Sequence, residues 1–304
     1  MIYQKVFKNV LLILNMYLKF KKAGVIHKII QQRLREYLKL GVSALEIAEF
    51  IENQIDIFLP RNNEQPWKQG YGFPVGVNIN EVAAHFSPSN INPIILDDDL
   101  VKIDFGVHID GCISDGAFSW CPSGKYNELI TIAENATNIG IKHSGVDAVL
   151  GDIGEYIEEF INSHEITIDN EVKKICSITD LSGHNITPYH IHGGKFVPNG
   201  KIRYNERMRE NEIFAIETFP TTGNKHVFET SEVNHFMIEK EEFDNKELFK
   251  VFKTLPFCPR WVEADVDIQK INSVKKYPVI MNDGIVAQYE KSVFIKEFSV
   301  EVLN

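Results

Sequence analysis

The chain has 304 residues, with 42 Asp and Glu against 32 Lys and Arg and a formal charge of −10 when its 10 histidines are neutral. A composition of 44% hydrophobic and 24% charged residues is that of a folded globular protein and excludes a disordered acidic tail or a collagen-like repeat. An acidic balance without a long Lys/Arg block also excludes nucleic acid as the main ligand, because neutralising phosphates takes clustered cations.

The apolar run 10–16 is broken by Asn15, is too short to span a bilayer and has no small-residue cleavage site, so an ordinary or peripheral helix is expected there. Residues 22–40 carry a helical mixture of basic and apolar side chains. Ser43-Ala44-Leu45-Glu46 has the form of a capping box, ahead of Ile47, Ile51, Ile55 and Phe58 on one helical face. Leu129, Ile132, Ala133, Ala136 and Ile139 repeat that spacing, as do Ile153, Ile157, Phe160 and Ile161. Cys112, Cys121, Cys176 and Cys258 form no CxxC pair, which points to free thiols and a cytoplasmic protein.

The clearest strand is 100–109, where Val101, Ile103, Phe105, Val107 and Ile109 alternate with polar residues and glycine. Asp110-Gly111 then signals a two-residue hairpin turn, with 112–120 as the returning strand. Pairing Ile109 with Cys112 places Asp115 opposite Gly106, so Asp104 and Asp115 are diagonal neighbours on one face, roughly 7–8 Å apart at the backbone. That face either meets water or lines a site. Further strands are expected over 213–219 and 285–295, giving a mixed α/β fold in two rounds of helices and strands.

Within 181–195, His184, His190 and His192 stand among glycines and polar residues, a poor hydrophobic core but a usable set of metal ligands or oxyanion donors. Glu217 and Glu290 each sit inside an apolar strand, where an ionised carboxylate must be paired, metal-bound or exposed at a sheet edge. Four carboxylates and one imidazole would neutralise two divalent cations.

The order Asp, Asp, His, Glu, Glu closely resembles the type 2 methionine aminopeptidases, as do Lys102-Ile103-Asp104-Phe105-Gly106, Ser182-Gly183-His184-Asn185-Ile186, Ile191-His192-Gly193-Gly194-Lys195 and Ala215-Ile216-Glu217-Thr218-Phe219. The resemblance covers about residues 20–300. It implies an α/β pita-bread fold, the creatinase/aminopeptidase architecture, with two pseudo-two-fold halves forming a catalytic domain over 21–304 behind a helical extension over 1–20. By motif match, Asp104, Asp115, His184, Glu217 and Glu290 are the implied ligands of two divalent metal ions. Asp104 and Asp115 are expected on one ion, His184 and Glu217 on the other, with Asp115 and Glu290 between them. The sequence does not choose among cobalt, manganese, iron and zinc. His85 and His192 match histidines that contact the scissile peptide, and Phe73, Ile191, Phe219 and His235 match the pocket for the methionine side chain. The implied reaction removes the N-terminal methionine of nascent proteins and peptides, a bridging water attacking with Glu217 as general base and acid.

Two departures stand out. The helical insert of the type 2 enzymes is contracted, to about residues 236–278, and Lys291-Ser292 replaces the His-Thr that commonly follows the last glutamate. A long charged N-terminal extension, present in many eukaryotic members, has no counterpart here, which leaves ribosome association without support. Family members of this type are usually monomers. Two other readings, a catalytically silent pita-bread binding protein and a prolidase-like Xaa-Pro peptidase, are disfavoured by the complete ligand set and by the wording around His85, His184 and His192.

Overall fold

Two rounds of helices and strands follow one another in the computed structural model, which describes every residue but Met1, Arg61, Asn63 and Asn90, and for residues 2–10 the backbone alone. The first round comprises α1 (Ile2–Tyr37), α2 (Ala44–Phe58), β1 (Gln69–Ile79), β2 (Val82–Ala84), β3 (Val101–Ile109) and β4 (Cys112–Trp120). The second begins with α3 (Asn127–Lys142), α4 (Leu150–Asn162), β5 (Glu165–Ile168), β6 (Glu171–Lys174), β7 (Cys176–Ser177), β8 (Ser182–Ile186) and β9 (Phe196–Pro198). It continues through β10 (Ile213–Thr218), β11 (Pro220–Thr221), β12 (Phe228–Ile238), α5 (Lys246–Phe252), β13 (Val274–Met281), β14 (Tyr289–Ile295) and β15 (Val300–Val302).

The hairpin has the register that the alternation predicts. Asp110 and Gly111 both have positive φ, 48° and 76°, as a type I′ turn requires, and Gly106 pairs with Asp115 and Asp104 with Ala117. The capping box forms as well: Ser43 Oγ accepts from the Glu46 amide, and the Glu46 carboxylate accepts from the Ser43 amide. The helix expected over 22–40 is instead part of the single helix α1, which begins at Ile2 and runs unbroken through residue 20. The last long strand is shorter than the expected 285–295. It begins at Tyr289, because the Val286 and Ala287 amides are taken by the Asn80 and Pro220 carbonyls. Among the described residues no helix is long and apolar enough to cross a membrane.

Three antiparallel strands, in the order β1-β3-β4, make the first sheet, and five, in the order β15-β14-β10-β8-β9, the second. α1 and α2 cover one face of the first sheet, where Ile26, Ile30, Leu34, Ile47 and Ile51 pack on Val101, Ile103, Phe105 and Val107. α3 and α4 cover the second in the same way, with Leu129, Ile132, Ile153 and Ile157 against Phe214, Ile216, Val293 and Ile295. The faces away from these helices carry the candidate site residues of both sheets, which line one cavity. Residues 236–278 have a small core of Phe236, Ile238, Leu248, Phe257, Ile268 and Val274, and a two-pronged ion pair from Arg260 to the buried Glu52 ties them to α2.

Candidate metal centre and cleft

Each candidate ligand is placed by strand pairing. Asp104 and Asp115 come from the hairpin β3–β4, His184 from β8, and Glu217 and Glu290 from β10 and β14, where they form a directly opposed pair. β8 approaches β10 closely because residue 183 is glycine: a Cβ there would lie 2.4 Å from the Ala215 carbonyl oxygen. His184 Nε2 lies 3.5 Å from Asp115 Oδ2.

Ligand atoms gather in two groups, each with all its atoms within 4.8 Å of one another: Asp115, His184 and Glu290 in one, Asp104, Glu217 and Glu290 in the other. Glu290 belongs to both. Beside these groups stands a residue that motif reading missed. Gln288 Nε2 donates to Asp104 Oδ2 at 3.1 Å and to Glu217 Oε1 at 2.7 Å, bridging those two carboxylates. Gln288 lies just ahead of β14, where strand alternation does not mark it.

The electrostatics of this cluster are those of a cation site. Burial, with the neighbouring carboxylates, pushes the Asp115 and Glu290 carboxyls well above their ordinary range; burial and Asp104 do the same to Glu217, and burial raises Asp104 to about 7. Burial also holds His184 well below its usual value, so the imidazole is neutral and its lone pair is free to ligate. Asp104 Oδ1, Asp115 Oδ1, His184 Nδ1 and both Glu290 carboxylate oxygens are buried without a hydrogen-bond partner. Unpaired acceptors of this kind are costly in a protein interior, and oxygen donors with one imidazole suit divalent ions of the first transition series.

A cavity of about 240 Å³ opens onto the cluster, and every site residue expected from the sequence lines it, including Phe73, Ile191, Phe219 and His235 on the apolar side. His85 donates from Nδ1 to the Pro278 carbonyl at 3.1 Å, which leaves Nε2 as its acceptor, and its backbone is left-handed, with φ 68°. His192 stands edge-on to His184 with ring centroids 4.6 Å apart, and burial holds its pKa down at about 4. Tyr277, also unforeseen, meets His85 edge to face at 5.6 Å; with Pro256 it is what residues 236–278 contribute to the cavity wall.

The family model described as metallopeptidase family M24 matches residues 19–296. The chain is 36% identical to methionine aminopeptidase 2 of Yarrowia lipolytica over 94% of its own length and 65% of that protein's. It is 37% identical to methionine aminopeptidase 2 of Komagataella phaffii, over 95% of its own length and 70% of that protein's. Among solved structures, methionine aminopeptidase from Rickettsia prowazekii superposes with a TM-score of 0.68 at 18% identity, covering 95% of this chain and 96% of that one, which shows a shared pita-bread fold.

Proposed function

The chain belongs to metallopeptidase family M24 and, within it, to the type 2 methionine aminopeptidases, and on that premise we propose that it releases methionine from the N-termini of peptides and nascent chains. The observation that carries this reading is the carboxylate and imidazole cluster joined by Glu290 at the base of a cavity with an apolar wall. Neither a silent binding protein nor a prolidase-like peptidase is favoured, since the relatives are aminopeptidases and the donor set is complete.

In this reading Asp104, Asp115, His184, Glu217 and Glu290 hold two divalent ions, which when bound supply Lewis acidity and lower the pKa of water. Glu217 takes a proton from the attacking water and returns it to the leaving amine. Its hydrogen bond from Gln288 fixes the carboxylate for that exchange. His85 and His192, both held neutral by burial, contact the scissile peptide and steady the charge that develops on it. Phe73, Ile191, Phe219 and His235 receive the methionine side chain. Residues 21–304 act as the catalytic unit, with 1–20 an extension and 236–278 the shortened insert. The protein works as a cytoplasmic monomer, in keeping with its four free cysteines, and co-sedimentation tests whether it joins ribosomes.

Purified protein supplied with Mn²⁺ or Co²⁺ is expected to release methionine from Met-Ala-Ser and to leave Xaa-Pro peptides uncut. Asp104→Asn should abolish turnover with an unchanged circular dichroism spectrum. Full activity in that variant overturns the assignment.

A further inference from the structure

The first and second sheets meet where β4 lies beside β14, and no backbone ladder joins them there. Two serine hydroxyls take its place. Ser292 Oγ on β14 accepts from the Asp115 amide at 2.8 Å and donates to the Asp115 carbonyl at 2.9 Å. Four residues along each strand, Ser119 Oγ on β4 accepts from the Gln288 amide and donates to the Gln288 carbonyl, both at 2.9 Å. Each hydroxyl thus satisfies both backbone groups of one residue on the facing strand, which uses its single hydrogen and one lone pair. Asn304 completes the first clasp. Its Nδ2 donates to the Asp115 carbonyl at 2.6 Å and its Oδ1 accepts from the Ser292 amide at 3.0 Å. Both serines and Asn304 are buried, and Gly116 admits Asn304, since a Cβ there would lie 2.3 Å from its Nδ2.

The residues so gripped are not arbitrary. Asp115 is a candidate ligand, and Gln288 joins two others, Asp104 and Glu217. Glu290, common to both ligand groups, lies between the two clasps. We propose that Ser292 and Ser119 are positioning residues of the metal centre: they fix the spacing between the ligands of the first sheet and those of the second, so that both ions can be held at once. The inference rests on the ligand assignment given under the proposed function. A hydroxyl is required, because replacing it at Ser292 leaves the buried Asp115 amide unsatisfied and its carbonyl with Asn304 alone, and replacing it at Ser119 strips both backbone groups of Gln288, which frees the seam to shift. Supporting interactions of this sort typically change metal affinity by about 10–100-fold.

Threonine and valine have nearly the same shape and differ in the hydroxyl, so Ser292→Thr and Ser292→Val separate hydrogen bonding from packing. Metal-stripped protein would be titrated with Mn²⁺ by calorimetry, and its electron paramagnetic resonance spectrum read for coupling between two Mn²⁺ ions. Circular dichroism would follow the fold. Ser292→Val is expected to weaken the second Mn²⁺ by about tenfold or more and to lose the coupled signal, while Ser292→Thr stays within about threefold of the unaltered protein. Equal binding by the valine variant, or equal loss in both variants, overturns the inference. If the larger side chains prevent folding at 292, Ser119→Val with Ser119→Thr, and Ser292→Ala, give the same readings. Failure of the unaltered protein to bind Mn²⁺, or undiminished binding by Asp115→Asn, would instead overturn the ligand assignment, so the two failures are told apart.

Discussion

The two sheets deliver their carboxylates in different ways. In the first, Asp104 and Asp115 are diagonal neighbours across a two-residue turn and are eleven positions apart in the chain. In the second, Glu217 and Glu290 are opposed directly, in a pairing between strands far apart in sequence. A tight turn fixes register locally, so the first pair follows from the Asp110-Gly111 signal and a period of two. The second depends on the whole intervening fold, and no local signal sets its register. The two pairs also act on each other: after burial, Asp104 raises the Glu217 carboxyl, and Asp115 with Glu217 raises that of Glu290. In the proposed reading the sheet tolerates Glu217 and Glu290 because they hold cations.

The sharpest way to break this contrast is at Glu290, which belongs to both ligand groups, whereas Asp104 belongs to one. Glu290→Gln is expected to lower kcat/KM for Met-Ala-Ser by at least about a thousandfold, equivalent to about 4 kcal/mol, and to abolish paired metal binding. Asp104→Asn should keep one Mn²⁺ by calorimetry. Equal stoichiometry in the two variants would erase the distinction between the sheets.

A smaller effect tests the first sheet alone. His27 stacks on Phe105 with ring centroids 4.0 Å apart, and His108 lies within β3; both are buried and held down at about 3, against 6.5 when free. Because the folded value is the lower one, the unfolded chain takes up the proton as pH falls below 6.5, and stability is lost progressively toward pH 3. The loss at pH 5 is on the order of 2 kcal/mol for each histidine. Urea unfolding at pH 7 and pH 5 measures it, and His108→Gln should reduce the difference by that one histidine's share, about 2 kcal/mol.

The smallest effect belongs to the opposed pair. With metal removed by chelation, Glu217→Gln or Glu290→Gln should stabilise the fold, by up to about 1 kcal/mol, because a neutral amide replaces a buried carboxyl whose raised pKa works against folding at neutral pH. The diagonal Asp104→Asn should gain less. A thermal melt of each metal-free variant compares them.

What the sequence made legible follows the same division. The hairpin register, the capping box at Ser43 and the faces of α3 and α4 came from periods and turn residues acting over a few positions. The candidate ligands were legible as residue types in unusual places, an ionisable group within an apolar strand or a histidine among glycines. Gln288, Tyr277, Ser119, Ser292 and Asn304 were not. Each acts through a partner remote in sequence, and an amide or hydroxyl in a strand carries no mark of its function until the facing strand is known. α1 ran longer than its pattern because its N-terminal half follows no clean amphipathic period, and Phe20 finds its packing in a different cluster from Ile26 and Ile30.

The left-handed backbone at His85 has one more consequence. A side chain with a Cβ pays a steric penalty of roughly 1–2 kcal/mol in that conformation, and glycine or asparagine would relieve it. Asparagine would suit the chain as a folded object better than the histidine that the proposed reaction uses. Durability and catalysis therefore pull in opposite directions at one position, and a lineage selected only for thermal endurance would be expected to abandon this histidine early.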